Sequence, residues 1–325
     1  MAGNSKGVVI AALLANGAIA VMKFVGFLLT GSAAMLSETY HSVSDTGNQV
    51  FLLIGIRYGG READDRHPFG YGKAQFFYSF LVSVLLFGIA GWESAKHGYN
   101  ALTHGGVHRA SEATLPVLNI TFDAILVNYT VLTGAIVFEA WALWKANKEM
   151  KRQIELHDWS GYREAFRKTS DVTTLTAFTE DTIALAGAGI ALAGIYLARV
   201  TGNNLYDAAS ALIIGIMLMG FAVALAWENK RLLLGESLPN EDESSLLAIL
   251  REQDGVVDVA DFRTVYFGPA NIVVTADVAF DPGLETDDID DCITAIEKAL
   301  IQAEPNIGKV YIEPETELDP GSAAA

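Results

Sequence analysis

The sequence predicts an α-helical membrane protein with six transmembrane helices, followed by a C-terminal α+β domain in the cytoplasm. Three observations support this prediction. The hydrophobic share of the 325 residues is 51% and the mean hydropathy is +0.29, more than a soluble globular domain of this length requires. Six apolar runs are long enough to cross a bilayer, which takes about 20 residues. After residue 238 these runs give way to alternating patterns, which are typical of a soluble domain.

The apolar runs place the six spans, and the basic residues orient them. The runs lie near residues 8–30, 33–56, 75–96, 115–144, 172–199 and 205–227. Lys and Arg cluster after the second, fourth and sixth runs, whereas the opposite loops carry few of them. Basic loops stay in the cytoplasm, so both chain ends are predicted to be cytoplasmic. Because neither a cleavable signal peptide nor an Arg- and Ser-rich transit segment is evident, the sequence favours a bacterial cytoplasmic (inner) membrane.

The last quarter of the chain is strongly acidic and is predicted to be a separate domain. The formal net charge of the chain is −17, and from Ser237 onward there are 4 basic and 20 acidic side chains. This balance argues against a nucleic-acid partner, because phosphate binding needs a basic face. The single cysteine, Cys292, excludes an internal disulfide. No histidine follows His157, so a histidine-based metal site is not expected in this domain.

The sequence predicts three regions: a transmembrane domain over 1–236, an α+β domain over 237–316 and a flexible tail over 317–325. The α+β domain reads as helix, two strands, helix and strand. These elements are predicted at Glu241–Gln253, Val256–Tyr266, Asn271–Phe280, Asp287–Ala303 and Lys309–Ile312, with Gly268-Pro269 as the turn between the first two strands. In the second helix, Ile289, Ile293, Ile296 and Leu300 fall on one stripe, which predicts a buried face.

The second apolar run carries the polar residues that define the predicted site. Glu38, His41, Asp45 and Asn48 recur at helical spacing, so they fall within an arc of roughly 80° on one helix face. An isolated charge inside a membrane costs between ~2.5 and ~10 kcal/mol, so such groups usually face a bundle interior or a water-filled path. His41 and Asp45, one turn apart, have the spacing to bind one metal ion.

Several other polar residues have a functional and a structural interpretation. Lys23 in the first run either extends to the membrane surface, which the sequence favours, or neutralises a carboxylate of the bundle. Glu139 in the fourth run is a secondary site candidate, because acids at membrane depth seldom face lipid. His67 is a secondary metal candidate as well, although a role in ordering the entrance of the third helix is favoured.

Two motifs resemble the cation diffusion facilitator family over essentially the whole chain. They are His41-x-x-x-Asp45 in the second span and the run His-Pro-Phe-Gly-Tyr-Gly-Lys-Ala from His67 to Ala74, which is the more specific of the two. The resemblance implies an αββαβ domain of ferredoxin-like (metallochaperone-like) fold that forms a homodimer. It further implies a secondary transporter rather than an enzyme, which exports a divalent metal, usually zinc, in exchange for protons. Metal ion, protons, lipid bilayer and a second copy are then the partners, and no cofactor is expected.

The fifth span departs from the family pattern. Asp181 matches the family's aspartate, but the position four residues earlier, usually histidine, is Ala177. Glu180 stands about 100° around the helix from Asp181 and is the candidate replacement. The predicted ligands are therefore His41, Asp45 and Asp181, with Glu180 or water as the fourth, a mixed set that zinc accepts. The Glu-Asp pair resembles the branch of the family that includes zinc transporter nine of animals.

Two alternatives stay open. If Glu180 is a ligand, three carboxylates and one imidazole shift the preference toward harder ions such as manganese or iron(II). If the incomplete site no longer transports, the chain is a membrane scaffold or a metal-sensing partner. Retention of three ligands on two helices argues against the scaffold. A membrane hydrolase has weaker support, because the sequence carries no metalloprotease motif or serine nucleophile elbow.

Overall fold

A computed structural model describes the backbone of residues 2–104, 112–115, 120–123, 125–156, 159–168 and 172–315, and the side chains of 13–104, 123, 125–156, 159–165 and 178–315. The chain divides into two compact units. The first comprises Met1–Leu53 and Ser79–Trp227, and the second comprises Ile54–Tyr78 and Glu228–Ala325. The domain boundaries given above stay predictions, and the tail over 317–325 lies outside the described residues.

Six long helices lie among the described residues. They are α1 (Ala2–Thr30), α2 (Ala33–Gly59), α3 (Lys73–His104), α4 (Ile125–Leu156), α5 (Val172–Thr201) and α6 (Leu205–Leu234). Five of them, all except α2, contain a segment long and apolar enough to cross a membrane. Although α2 has 27 residues, its hydropathy is lowered by the polar group from Glu38 to Asn48. The helical membrane architecture predicted from the sequence is confirmed.

The fourth helix begins later than predicted. The sequence placed its start near residue 115, but the backbone there forms a hairpin of β1 (Glu112–Leu115) and antiparallel β2 (Ile120–Asp123). β-Branched residues such as Ile120 favour the extended backbone. Asp123 Oδ1 then accepts a hydrogen bond from the Ile125 N–H at 3.1 Å and satisfies one of the unpaired donors at the start of α4.

Glycines allow the backbones of α3 and α6 to approach each other closely. A Cβ built on Gly98 of α3 would overlap the backbone nitrogen of Leu212, and one built on Gly215 of α6 would overlap that of Ala95. Small residues are typical of helix contacts in membranes, where packing rather than exclusion of water holds helices together. Between Leu86 and Gly91, α3 also contains a π-helical turn.

The core of the first unit is drawn from α2 to α6. Its largest fully buried members are Met35 of α2, Leu132 of α4, Ile195 of α5, and Ile214 and Leu218 of α6. These side chains pack between helices and leave the outer faces of the helices apolar, as at Leu126, Val137 and Val200. An apolar outer surface is what a lipid environment requires.

The second unit contains the predicted αββαβ domain. Its elements are α7 (Asn240–Arg251), β3 (Val256–Gly268), β4 (Asn271–Phe280), α8 (Thr286–Ala303) and β5 (Ile307–Glu315). The sheet has the order β3-β4-β5, with β3 antiparallel and β5 parallel to β4. A parallel return of this kind needs a crossover, which α8 supplies. The element types and their order agree with the sequence prediction.

Alternation along the central strand explains the core of this domain. Every second residue of β4 from Ile272 to Phe280 is buried in the cluster that Leu250 of α7 and Ile296 and Leu300 of α8 complete. Ile289 and Ile293 pack against the same cluster, so the predicted stripe is confirmed. A reciprocal capping box between Glu285 and Asp288 fixes the start of α8.

Replacing Gly215 by alanine should destabilise the first unit, because the new Cβ has no room against the α3 backbone. Overpacking of this kind typically costs about 1–3 kcal/mol, which lowers the melting temperature of the protein in detergent. Gly220→Ala is the matched control on the same helix, since nothing lies within 4 Å of a Cβ at that position. Equal melting temperatures for the two variants would contradict this close approach of α3 and α6.

Candidate metal centre

The polar face of α2 lies inside the first unit, as its spacing predicts. The side chain of His41 is buried, and its Nδ1 lies 3.5 Å from Asp45 Oδ1, which is an ion-pair distance. Neither ring nitrogen of His41 has a hydrogen-bond partner. Buried polar atoms in proteins nearly always have one, so an imidazole with two nitrogens that make no hydrogen bond is a candidate metal ligand.

The α5 residues lie beside this face. Asn48 Nδ2 is 3.5 Å from Glu180 Oε2, at the limit of a hydrogen bond, so the Glu180 side chain is directed at α2. The carboxylates of Asp45, Glu180 and Asp181 are close enough to interact electrostatically. The structure thus brings the predicted α2 and α5 residues into one region.

These side chains do not yet form a closed metal site. Among the described residues, no three His, Cys, Asp or Glu side chains converge to the distances that a metal ion requires. The predicted set of His41, Asp45, Asp181 and Glu180 therefore needs a closer approach of α2 and α5 than this structure has. The ligand assignment stays a prediction.

A fourth helix adds another acid to the region. Glu139 of α4 is partly buried and interacts electrostatically with Asp45, His41 and Asp181. It adds negative charge to a region that already holds three other carboxylates.

Lys23 and Glu38 form a buried ion pair, which corrects the favoured interpretation of Lys23. Its Nζ donates to Glu38 Oε2 at 2.7 Å, and the exposed fractions of the two side chains are 1% and 0%. Lys23 therefore does not extend to the membrane surface. The two residues flank the turn at Gly31, between the end of α1 and the start of α2, at nearly equal distances along the chain, which places them at similar depth. That symmetry is the sequence signal that identifies the pair.

His67 belongs to an ordered loop of the second unit. Asp64 Oδ1 accepts from the N–H groups of Arg66 and His67 at 3.0 and 2.8 Å, and Asp64 Oδ2 accepts from the Tyr71 hydroxyl at 2.7 Å. The bond from Tyr71 is the largest cause of the lowered pKa of Asp64, and the same bond raises the pKa of Tyr71. The His67 ring packs on the Tyr71 ring at 4.1 Å. This geometry favours the ordering role over metal binding.

The rest of the His67–Ala74 motif packs against the β3–β4 turn within the second unit. The rings of Phe69 and Phe267 lie 4.8 Å apart, and Lys73 Nζ lies 4.6 Å from the Phe267 ring centre. A Cβ on Gly72 would overlap the carbonyl oxygen of Phe267, so position 72 requires glycine. The most specific motif of the sequence thus has a packing function here.

Two further acids have structural partners. Asp123 pairs with Arg199 at 2.8 Å. Asp207 accepts from the Ser32 hydroxyl at 2.7 Å and the Ala33 N–H at 2.9 Å, and so caps α2. His104 is exposed on α3. His108, His157 and the side chain of Ala177 lie outside the described residues.

Two family models match the chain. The model described as the cation efflux transmembrane domain matches residues 9–234, and the one described as the cytoplasmic domain of cation efflux proteins matches residues 238–317. The chain belongs to the cation efflux family. The resemblance drawn from the two motifs is thereby confirmed, and so are the fold class and the prediction of an integral membrane protein.

Curated relatives support the same assignment. The human protein named proton-coupled zinc antiporter SLC30A9, mitochondrial, is 31% identical over 274 residues, which cover 84% of this chain and 46% of that protein. Metal tolerance protein C4 of Arabidopsis thaliana is 27% identical over 85% of this chain and 57% of its own length. The cation-efflux pump FieF of Citrobacter koseri is 26% identical over 81% of this chain and 77% of its own length. The chain spans about half the length of the human and plant relatives, and all three names describe transport or metal tolerance rather than an enzyme.

The α5 geometry gives a test of Glu180. Because Glu180 faces Asn48 of α2, we expect Glu180→Gln to weaken zinc binding to the purified protein nearly as much as Asp181→Asn, by about tenfold or more for loss of one charged ligand. Ala177→His should strengthen zinc binding, because it supplies a second imidazole one turn before Asp181. Unchanged affinity in both Glu180→Gln and Ala177→His would contradict this placement of α5 relative to the site.

Proposed function

We propose that the protein exports a divalent metal cation, zinc in the first place, from the cytoplasm in exchange for protons. His41, Asp45 and Asp181 bind the ion, Glu180 or water is the fourth ligand, and the site opens to each side of the membrane in turn. The observation that carries the proposal is the buried His41 ring, whose two nitrogens make no hydrogen bond, next to the carboxylate of Asp45. Its position inside a chain of the cation efflux family supports the choice of substrate class.

The chemistry of the residues couples metal to protons. A metal ion binds neutral imidazole and ionised carboxylates, so binding releases protons and protonation releases metal. Zinc accepts one imidazole nitrogen with carboxylate oxygens in tetrahedral geometry. The ligand set therefore holds either the ion or protons, which is the basis of antiport.

Mutual repulsion of the acids supports the same exchange. Asp45, Glu180 and Asp181 interact in a low-dielectric region, where like charges repel more strongly than in water. The repulsion is relieved by a divalent cation or by protons. An empty and fully ionised site is consequently the least favourable state, so the carrier returns with protons rather than empty.

Two alternatives remain as proposals with less support. Manganese or iron(II) is favoured over zinc if Glu180 coordinates, because three carboxylates make a harder site. A scaffold function finds no supporting feature in the ligand residues. For the membrane, we propose a bacterial inner membrane. We also propose that both chain ends are in the cytoplasm, which the distribution of Lys and Arg supports.

We expect His41→Ala and Asp45→Ala each to abolish zinc-dependent proton flux in proteoliposomes while leaving the protein folded, because these residues act in ligation rather than packing. His67→Ala is the matched control, a histidine outside the membrane site, and should retain most of the flux. Flux at the wild-type rate in either site variant would overturn the proposed ligands. Rates measured with manganese and iron(II) in the same vesicles decide between the candidate ions.

We also propose that the protein is a homodimer and that the αββαβ domain contributes to its interface, supported by the match to the family's cytoplasmic domain. Its excess of acidic over basic side chains opposes the contact. Charge repulsion is screened beyond about 8 Å at physiological ionic strength, so salt or divalent cations should strengthen the dimer. Sedimentation of the full-length protein in detergent, with and without added salt, tests this. A dimer that weakens as salt rises would contradict it.

A further inference from the structure

The Lys23–Glu38 pair is the most deeply buried ion pair among the described residues, and the proposed transport cycle does not use it. The two charged atoms lie 2.7 Å apart, and both side chains are fully enclosed. Removing one partner of such a pair leaves an uncompensated buried charge, which is strongly destabilising. Replacing both by apolar groups is often neutral or stabilising. The pair is therefore weak support for stability alone, and its position suggests another role.

Only one of the two carboxylate oxygens of Glu38 is satisfied. Oε2 accepts from Lys23, whereas the buried Oε1 has no hydrogen-bond partner. Oε1 lies against α5, because a Cβ built on Gly187 would be 2.7 Å from it. Gly187 stands less than two turns after Asp181 on the same helix. An unsatisfied, buried oxygen of an acid is thus directed at the helix that carries half of the candidate ligands.

The ammonium of Lys23 also acts on the candidate site itself. It interacts electrostatically with His41 and Asp45 of α2 and with Glu139 of α4. Glu38 stands one turn before His41 on the same face of α2. A positive charge at this position repels an incoming metal ion while it holds a nearby carboxylate.

From this geometry we infer that Lys23 is a tethered counter-cation of the metal site. It keeps Glu38 from joining the ligands and lowers the affinity of the site for the divalent cation, so that the ion can leave again. Lys23 is a positioning residue that acts through Glu38 and through its charge. The inference rests on the proposed function, since it concerns the affinity of that same site.

The physical reason is the number of acids within reach of the ion. Asp45, Asp181 and Glu180 already suffice for a divalent cation, and a fourth carboxylate would bind it more tightly. A carrier must bind its cargo and also release it on the other side. A fixed positive charge supplies the required limit on affinity without removing a ligand.

Zinc titration of the purified full-length protein in detergent tests this inference, because the two single variants should change the zinc affinity in opposite directions. Lys23→Met should tighten zinc binding by about tenfold or more, because it removes a positive charge and frees Glu38. Glu38→Gln should weaken zinc binding by a similar factor, because it leaves Lys23 uncompensated beside the site. The double variant Lys23→Met/Glu38→Gln should bring the affinity back toward the wild-type value.

A merely structural pair gives a different pattern. Both single variants would then lower the affinity or leave it unchanged, and either result overturns the inference. If one single variant does not fold, as shown by its size-exclusion profile, the other single variant and the double variant still decide. The inference requires tightening in Lys23→Met or weakening in Glu38→Gln, and recovery in the double variant. His41→Ala distinguishes failure of the proposed metal site from failure of the inference about Lys23. Equal zinc affinity in His41→Ala and wild type would overturn the proposed site itself, whereas loss in His41→Ala with no change in Lys23→Met overturns the inference alone.

Discussion

The cost of placing charge inside a membrane governs the arrangement of the first unit. α2 is the one long helix among those described that is not apolar enough to cross a bilayer by composition. It is stable there only if its polar face is enclosed, and the burial of Glu38 and His41 meets that condition. The outer faces of the surrounding helices are apolar, as at Leu126, Val137 and Val200. The cost of exposing charge to lipid thus explains why the polar face of α2 is enclosed by the other helices.

Enclosure leaves the site with more negative than positive charge. Asp45 interacts with Glu139, Glu180 and Asp181, and the ammonium of Lys23 interacts with Asp45 and Glu139. Such a region is stable only when it holds further positive charge, as protons or as a metal ion. Exchange of one for the other is then a property of the charge balance, and the geometry of the ligands decides which metal is accepted.

The sequence predicted those parts of the structure that depend on local patterns. Alternation in β4 and the stripe ending at Leu300 specify the α+β domain, because each pattern has one period and one buried face. The start of α4 was misplaced because the short strand β2 lies in a largely apolar run that continues into the helix. The partner of Lys23 is 15 residues away, across a turn, where helical spacing alone gives no contact. The rotation of α5, which decides the role of Glu180, depends on packing between helices and so has no local signal.

The glycines in the helices also have roles that depend on packing between helices and that the sequence alone does not reveal. Gly194 and Gly215 allow close contact with Ser210 and Ala95, the role expected of small residues in membrane helices. Gly187 serves a different purpose, because the space beside it holds the Glu38 carboxylate rather than another helix backbone. Gly189, two residues later, has nothing within 4 Å of a Cβ. Identical residues within one segment thus pack a helix, make room for a buried acid or face open space. At Gly187 the ion pair of α1 and α2 touches the helix of Asp181, and a side chain there would push Glu38 away from α5.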